Sequence, residues 1–210
     1  MEQSYQNLMI HTVAFPPIQW VSAFYSAANL LVEAHENYQK KSARNRFLLG
    51  SHQGVHSLSI PLEKGKNHQK NIMNVSICYQ QDWPTQHLRF LQTVYGNSPF
   101  YEYYREDLIK LFVRKEKSLF TFNMNALNLL KSWLSIPKDF QMTCSYQKSI
   151  SSQTLDLRSQ SYTDFTQDNP PYEQIFGQTF LHNLSILDAI FHLGPETPAY
   201  LKKFRPTFVI

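Results

Sequence analysis

The hydrophobic pattern of this 210-residue chain changes its period near Asp82. Before that position, short apolar runs are separated by proline, glycine and polar turns, which is typical of β-strands. After it, apolar residues recur every three or four positions, which predicts amphipathic helices. The chain is also short enough to fold around one hydrophobic core. We therefore predict a single α/β domain over residues 1–210, with a strand-rich N-terminal half and a helical C-terminal half.

The first residues predict a βαβ-like unit. Residues 8–15 form the first predicted strand, which the Pro16-Pro17 pair ends, and a short helix follows over residues 18–28. Residues 30–34 resume as a second strand. Further strands are predicted at residues 47–49, 57–62, 72–79 and 140–146. Helices are predicted from residue 82 to Gly96 and over residues 100–112, 127–134, 172–180 and 185–193. The polar composition of residues 147–171 predicts a mobile loop.

Positive charge is concentrated in one part of the sequence. Twenty Lys and Arg against sixteen Asp and Glu give a net charge of +4, which is too small an excess to indicate nucleic-acid binding. Between Gln39 and Lys70, however, seven cations accompany a single anion, Glu63. The remainder of the chain is slightly acidic. This distribution favours a localised site for an anionic ligand.

Cysteine usage and hydropathy indicate a cytoplasmic protein. Cys78 and Cys144 form neither a disulfide framework nor a metal-binding pattern, so a reducing compartment is expected. The N-terminal residues lack the cationic and apolar regions of a signal peptide. The longest apolar run, residues 20–32, contains Ser and Asn and is too short to cross a bilayer core of about 30 Å. We predict no membrane association.

The richest candidate site is the basic segment, residues 36–46 with the sequence ENYQKKSARNR. In an extended conformation, Lys40, Ser42, Arg44 and Arg46 would lie on one face of the chain. Such a row suits a phosphate or carboxylate, because arginine binds these groups with two hydrogen bonds and lysine as a point charge. The alternative is an exposed edge strand whose cations oppose pairing with another chain.

The proline-rich turn at residues 15–20 follows the first predicted strand, just as the basic segment follows the second. In α/β sheets, ligands bind in the crevice outside the carboxyl ends of the strands. We therefore expect Gln19, Asn37 and Asn45 to orient polar groups of a ligand bound there. A rigid proline turn with buried aromatic residues is the alternative.

Two further candidates lie at predicted helix starts. His87 is a candidate for proton transfer, because free imidazole has a pKa near 6.5, although a structural histidine is the alternative. Asn183 and Asp188 flank the start of the last predicted helix, which could bind an anion. Ser185 and Asp188 also fit a capping box. The sequence contains no GxGxxG, P-loop, HExxH or GxSxG motif, so it identifies no metal site and no cofactor.

Several short blocks, in a fixed order over residues 15–195, resemble the WbqC-like protein family. They are FPPIQW at 15–20, HENYQKKS at 35–42 with NR at 45–46, SIPL at 59–62, Trp83 with QHL at 86–88, YGNSPF at 95–100, and NLSILD at 183–188 with GP at 194–195. The form of the second block and the YGNSPF block resemble the branch common in Bacteroidetes-type bacteria.

The chain departs from the pattern of many relatives at two places. Many relatives have a His-Gln-Pro-type opening, where this chain has His11-Thr12-Val13-Ala14. Many relatives have paired Asp residues before the basic segment, where this chain has Ala34 and His35. Glu33 and His35 are the nearby substitutes for any catalytic or metal-binding role of those acids. The family takes its name from genes in O-antigen and surface-polysaccharide clusters. That context implies a cytoplasmic step on an activated or nucleotide-linked sugar.

The residues and the resemblance leave two main hypotheses. The first is an enzyme of transferase type that acts on an activated sugar or a similar anionic metabolite, with His87 or His35 transferring protons. The second is a non-catalytic protein that binds a phosphate- or carboxylate-bearing ligand or partner. The two differ in whether a histidine points into the pocket that holds Lys40 and Arg46. A third reading, single-stranded RNA binding, would need aromatic residues and cations on one open face.

Overall fold

The computed structural model describes residues 5–65, 67, 69–160, 162, 168–204 and 208. Its strands are β1 (Asn7–His11), β2 (Asn29–Glu33), β3 (Arg46–Ser51), β4 (Gly54–Ser59), β5 (Phe140–Met142) and β6 (Thr154–Asp156). Its α-helices are α1 (Ile18–Ser26), α2 (Trp83–Tyr95), α3 (Tyr101–Val113), α4 (Leu119–Trp133), α5 (Ile186–Leu193) and α6 (Thr197–Lys203). The predicted mixed α/β class, with helices concentrated in the C-terminal half, is confirmed.

A parallel sheet with the strand order β5-β2-β1-β6 forms the centre of the fold. Helix α1 connects β1 to β2, which confirms the predicted βαβ unit. Leu8 and Ile10 of β1 are buried beside Leu30 and Val32 of β2, as expected for parallel strands covered on both faces. His11 pairs with Glu33 in register, so both strands end at the same edge of the sheet.

The second sheet is an antiparallel hairpin of β3 and β4. The chain reverses at Gly54, whose φ of 103° lies in the region that favours glycine. The strand predicted at residues 72–79 is wrong. Ile72–Asn74 form a short 3-10 turn, and the Asn71 side chain accepts a hydrogen bond from the Met73 amide. That local bond offers the backbone an alternative to strand pairing.

Helices α2, α3 and α4 confirm the helical period in the middle of the chain. Helix α4 begins at Leu119, eight residues before the predicted start at residue 127. Its N-cap is Ser118, whose hydroxyl accepts a hydrogen bond from the Thr121 amide. Rings from α2, α3 and α4 meet in the core, where Trp83 and Phe122 lie 5.9 Å apart between centroids. One contiguous apolar cluster joins these helices to the sheet.

The C-terminal region agrees with prediction only in part. Helix α5 is confirmed, and Gly194 ends it with a φ of 51°. The helix predicted at residues 172–180 is wrong, because this segment is irregular and directs Tyr172 and Gln174 toward α5. Helix α6 was not predicted, since the Gly194-Pro195 pair indicated the end of helical structure.

Strand β6 lies inside residues 147–171, where the sequence predicted only a loop. It pairs with β1 and thereby forms one edge of the parallel sheet. Residues 161 and 163–167 of that segment lie outside the described residues, and its mobility stays a prediction. Across the part of the chain that the structure describes, no helix combines the length and apolar character needed to cross a membrane.

Candidate functional site

A polar cavity of about 460 Å³ opens beyond the carboxyl ends of β2 and β6. Residues 35–39 follow β2 and form one wall, and residues around Arg158 form the opposite wall. Arg44, Gln69 and Tyr146 complete the lining. Both the position, at the carboxyl edge of a parallel sheet, and the volume are those of ligand sites in α/β proteins. This cavity is the candidate functional site.

Arg158 connects three separate parts of the chain at the cavity wall. Its Nε donates to Asp156 Oδ1 at 2.9 Å, and its Nη2 donates to Asp156 Oδ2 at 2.7 Å. Its Nη1 donates to Glu33 Oε2 at 3.1 Å and to the Gln147 carbonyl at 2.8 Å. These hydrogen bonds to Asp156 raise the pKa of Arg158 above its usual value. The guanidinium group is therefore a fixed positive charge that is 12% exposed.

Glu33 is the buried acceptor that holds this wall together. Its Oε1 accepts from the His35 amide at 3.0 Å and from the Thr143 hydroxyl at 2.7 Å. Its Oε2 accepts from the Gln147 amide at 3.0 Å, in addition to the bond from Arg158. With two donors on each oxygen, the carboxylate is satisfied and completely buried. Glu33 therefore positions the cavity wall and is not free to act as a base.

Arg44 and Glu36 form a second buried ion pair at the base of the cavity. Arg44 Nε donates to Glu36 Oε1 at 2.8 Å, and Arg44 Nη2 donates to Glu36 Oε2. Arg44 Nη2 also reaches the carbonyl of Arg158 at 3.3 Å. Burial raises the pKa of Glu36, and the neighbouring Arg44 opposes that rise. The charge of Arg44 is thus already matched by a carboxylate.

The sequence of the chain was compared with known families and proteins. The model of the WbqC-like protein family matches residues 13–164, which include every residue that lines the cavity. The chain belongs to the WbqC-like family. It is also similar to the Uncharacterized protein Rv1507c of Mycobacterium tuberculosis (strain ATCC 25618 / H37Rv), with 24% identity over 199 residues that cover 80% of this chain and 85% of that protein. No solved structure matches.

The basic segment of this WbqC-like chain is folded into turns rather than extended. Residues 40–45 turn, and Lys41 has a φ of 58°. Ser42 Oγ donates to the Gln39 carbonyl at 2.7 Å, and Lys40 is exposed to solvent. The row of donors on one strand face does not form, and Lys40, Ser42 and Arg46 are not among the cavity-lining residues. Their roles in ligand binding stay predictions.

Three predicted site residues line the cavity of this family member, namely Arg44 and two residues described next. Asn37 and His35 both follow β2 and belong to the cavity wall. The imidazole of His35 makes no hydrogen bond or ion pair with another described residue. Asn45 has a different place, because its Oδ1 accepts from Tyr38 Oη and its Nδ2 donates to the Ile60 carbonyl, both at 2.9 Å. Asn45 thus fixes the loop behind the cavity wall.

Gln19, Asn183 and Asp188 lie outside the cavity lining. Gln19 Nε2 donates to Asn183 Oδ1, and Asn183 Nδ2 donates to Asp168 Oδ1 at 2.9 Å. Asp188 is completely buried and accepts hydrogen bonds from side chains of α2 and of the irregular segment before α5. The donors are Tyr95 at 2.8 Å, Gln174 at 2.9 Å and Tyr172. The geometry of Asp188 is that of a structural acceptor.

His87 is enclosed by aromatic side chains. Its ring centroid lies 5.9 Å from that of Phe47, 5.1 Å from that of Trp83 and 6.0 Å from that of Phe112. Burial lowers the pKa of His87 to about 4. The structure does not bring His87 to the cavity, and its role in proton transfer stays a prediction. Of the two predicted catalytic histidines, His35 is the one at the cavity.

Sequence reasoning missed the wall formed by Asp156 and Arg158. The available signal was the alternation of polar Asp156 and Arg158 with apolar Leu155 and Leu157, which is the period of a strand. Among the described residues, no group of three or more His, Cys, Asp or Glu side chains could hold a metal ion.

Proposed function

We propose that this protein is a cytoplasmic enzyme that transfers a group to or from an activated, nucleotide-linked sugar or a similar anionic metabolite. The reactive part of the ligand would bind in the cavity beyond β2 and β6. The observation that carries this proposal is the presence of an imidazole, His35, in a polar cavity at the carboxyl edge of the sheet. The surface-polysaccharide context of the family name supports a sugar-linked substrate.

His35 is the residue best placed for proton transfer. The acids at the cavity are engaged, because Glu36 is held by Arg44, and Asp156 and Glu33 are held by Arg158. A general acid or base must be able to gain and lose a proton, and imidazole does so near neutral pH more readily than other side chains. His35 is the histidine among the described lining residues of the cavity. We therefore assign proton transfer to His35 in place of His87.

The remaining lining residues supply uncharged hydrogen-bonding groups. Asn37, Gln39 and Gln69 each present an amide, and Ser159 presents a hydroxyl. Amides both donate and accept, so they suit ligands with several hydroxyl or carbonyl groups. The guanidinium group of Arg158, fixed by its carboxylate partners, adds a directional donor. This combination favours a polar metabolite over an apolar one.

A second and larger cavity does not suit the proposed chemistry. It has a volume of about 770 Å³ and lies between α3 and α4, where its lining includes Leu111, Val113 and Leu129. Its charged residues include Asp107 and Lys110, which already form an ion pair at 3.4 Å. None of its described lining residues is a histidine. Its described lining therefore offers no imidazole for the proposed proton transfer.

The competing function is a non-catalytic binding protein for a phosphate- or carboxylate-bearing ligand or partner. The observation in its favour is that the charged groups of the cavity are paired with one another, as in a rigid binding site. Such a protein would need the same cavity and no proton transfer. His35 therefore separates the two functions.

A thermal-shift screen tests the proposal. Wild type, His35→Ala and Arg46→Ala would be compared against nucleotide sugars, nucleotides, acyl and formyl donors and simple anions. A ligand at about 100 times its Kd should stabilise wild type by about 2.7 kcal/mol. We expect a nucleotide-sugar or acyl-donor hit, and an activity assay with that hit should show turnover by wild type that His35→Ala loses. Loss of the hit in Arg46→Ala would support the predicted role of Arg46 in ligand binding, and its retention would contradict that role. Binding without turnover by wild type would instead support the binding protein, and no hit in any class would contradict both.

A further inference from the structure

We propose that the cavity takes the uncharged, hydroxyl-bearing part of the ligand, and that the anionic part stays outside, over lysines at the cavity mouth. This inference rests on the proposed function, because it concerns the same site. It differs from the expectation that Arg44 would hold the anion. The reasons are the balance of charge inside the cavity, the aromatic ring on its wall and the lysines beside its opening.

The charges inside the cavity do not favour an anion. Two lining guanidinium groups, those of Arg44 and Arg158, are paired with the two lining carboxylates of Glu36 and Asp156. Arg158 is also paired with Glu33, which is buried and does not line the cavity. A phosphate placed among them would meet carboxylate oxygens as well as guanidinium groups, with no net positive charge to repay its desolvation. Sugar hydroxyls avoid this cost, because each one can donate to a carboxylate and accept from a guanidinium or amide N–H.

The ring of Tyr146 adds a surface that suits a sugar. Tyr146 lines the cavity and is 50% exposed, so much of its ring is free of protein contact. The guanidinium carbon of Arg158 lies 5.2 Å from its ring centroid, which fixes the orientation of the ring through a cation-π contact. An aromatic face of this kind offers apolar area to the C–H side of a pyranose ring. A free phosphate would gain nothing from it.

Exposed lysines adjoin lining residues of the same cavity along the chain. Lys40 and Lys41 directly follow the lining residue Gln39, and Lys70 directly follows the lining residue Gln69. The two stretches are joined by a hydrogen bond from the Tyr38 amide to the Lys70 carbonyl at 2.9 Å. All three lysines are exposed, and none forms an ion pair with another residue that the structure describes. They are therefore available to attract a phosphate group at the opening.

The test compares a rim variant with a cavity variant. The rim variant is Lys40→Ala with Lys41→Ala, the cavity variant is Tyr146→Ala, and exposed Lys117→Ala is the matched lysine control. All four positions are partly or fully exposed, so the fold should tolerate the changes. The probes are inorganic pyrophosphate, measured by calorimetric titration, and a panel of methyl hexosides and N-acetylhexosaminides, measured by saturation-transfer NMR.

We expect pyrophosphate to bind weakly and to lose about fivefold in affinity in the rim variant, as for the loss of two exposed charge contacts. Raising the salt concentration should weaken this binding further in wild type. Tyr146→Ala and Lys117→Ala should leave it unchanged. At least one glycoside of the panel should give a transfer signal in wild type that Tyr146→Ala abolishes and the rim variant retains.

Pyrophosphate binding that depends on Tyr146 and not on Lys40 and Lys41, or the absence of any Tyr146-dependent glycoside signal, would overturn the inference. These outcomes are distinguishable from failure of the proposed enzyme. If glycoside and pyrophosphate bind as expected but no nucleotide sugar is turned over, the placement stands and the catalytic function fails. Turnover of a nucleotide sugar could also be observed while pyrophosphate binding depends on Tyr146 and the glycoside signal depends on Lys40 and Lys41. In that case the enzyme function stands and the placement of the two ligand parts fails.

Discussion

Replacing His87 by phenylalanine tests the interpretation of this residue as a buried, neutral histidine. The ring packs edge-on against Phe47, Trp83 and Phe112, so an aromatic hydrocarbon ring fits its surroundings chemically. Nδ1 of His87 is buried and has no hydrogen-bond partner among the residues that the structure describes. The substitution removes the titrating group and a hydrogen bond to the backbone of Ser59. The informative quantity is therefore the pH dependence of the free energy of unfolding.

The size of the pH-dependent change in the free energy of unfolding follows from the pKa values of the imidazole in the folded and unfolded states. In the folded protein burial lowers the pKa of His87 to about 4, whereas the unfolded chain has a value near 6.5. Between these values the unfolded state binds more protons than the folded state, so stability falls as pH falls. The loss begins near pH 6.5 and should reach about 2.5 kcal/mol at about pH 4.5. His87→Phe should lack this contribution.

Urea unfolding, followed by circular dichroism at about pH 7.5, 6 and 4.5, measures the effect. We expect the free-energy difference between wild type and His87→Phe to shift by about 2.5 kcal/mol in favour of the variant on acidification. His52→Phe, at the exposed tip of the β3–β4 hairpin, controls for the loss of an imidazole. A difference between wild type and His87→Phe that is the same at every pH would refute the buried, neutral state of His87.

Three further substitutions test other parts of the structure. Glu33→Gln removes the charge that holds Arg158, and unfolding by urea should show a loss of about 3 kcal/mol; an unchanged midpoint would contradict the buried ion pair. Gly194→Ala places a Cβ 2.4 Å from the ring of Phe100 at a φ of 51°, so the free energy of unfolding should fall by about 2 kcal/mol, and a stabilised variant would argue against this backbone conformation. Ser185→Ala removes the α5 N-cap and should lower stability by about 1 kcal/mol in thermal denaturation, whereas Ser185→Thr should retain most of it.

The parts of the fold that sequence predicted well are those with local signals. The βαβ unit followed from apolar runs on either side of the Pro16-Pro17 stop, and helices α2 to α5 followed from apolar periodicity. The failures have non-local causes. Strand β6 is three residues long, and its stability comes from pairing with β1. In residues 172–180, helical spacing of aromatic residues was misleading, because tertiary contacts with Asp188 determine the conformation.

For the candidate site, the sequence predicted which types of residue are present better than it predicted which side chains pair with one another. The basic segment does contribute Asn37 and Arg44 to the cavity, and His35, which lines it too, directly precedes the segment. Its charge pattern could not show that Arg44 turns inward to Glu36, eight residues earlier, because that pairing depends on the turn through residues 40–45. Arg158 was missed because it lies beyond a strand too short to predict. The sequence therefore named several residues that line the cavity, and it did not show that Arg44 is paired with a carboxylate there.

The strand order has a consequence for how the site assembles during folding. The hydrogen bond between Asn7 of β1 and Thr154 of β6 joins residues that are 147 positions apart, and the Arg158–Glu33 pair spans 125 positions. Contacts of such long range require large loops to close and form slowly. During synthesis, β1, α1 and β2 can associate early. One edge of β1, however, stays unpaired until β6, which is made much later, becomes available. The cavity is therefore completed only when the chain through Ser159 has been made, so the candidate site cannot exist before about three quarters of the chain has been synthesised.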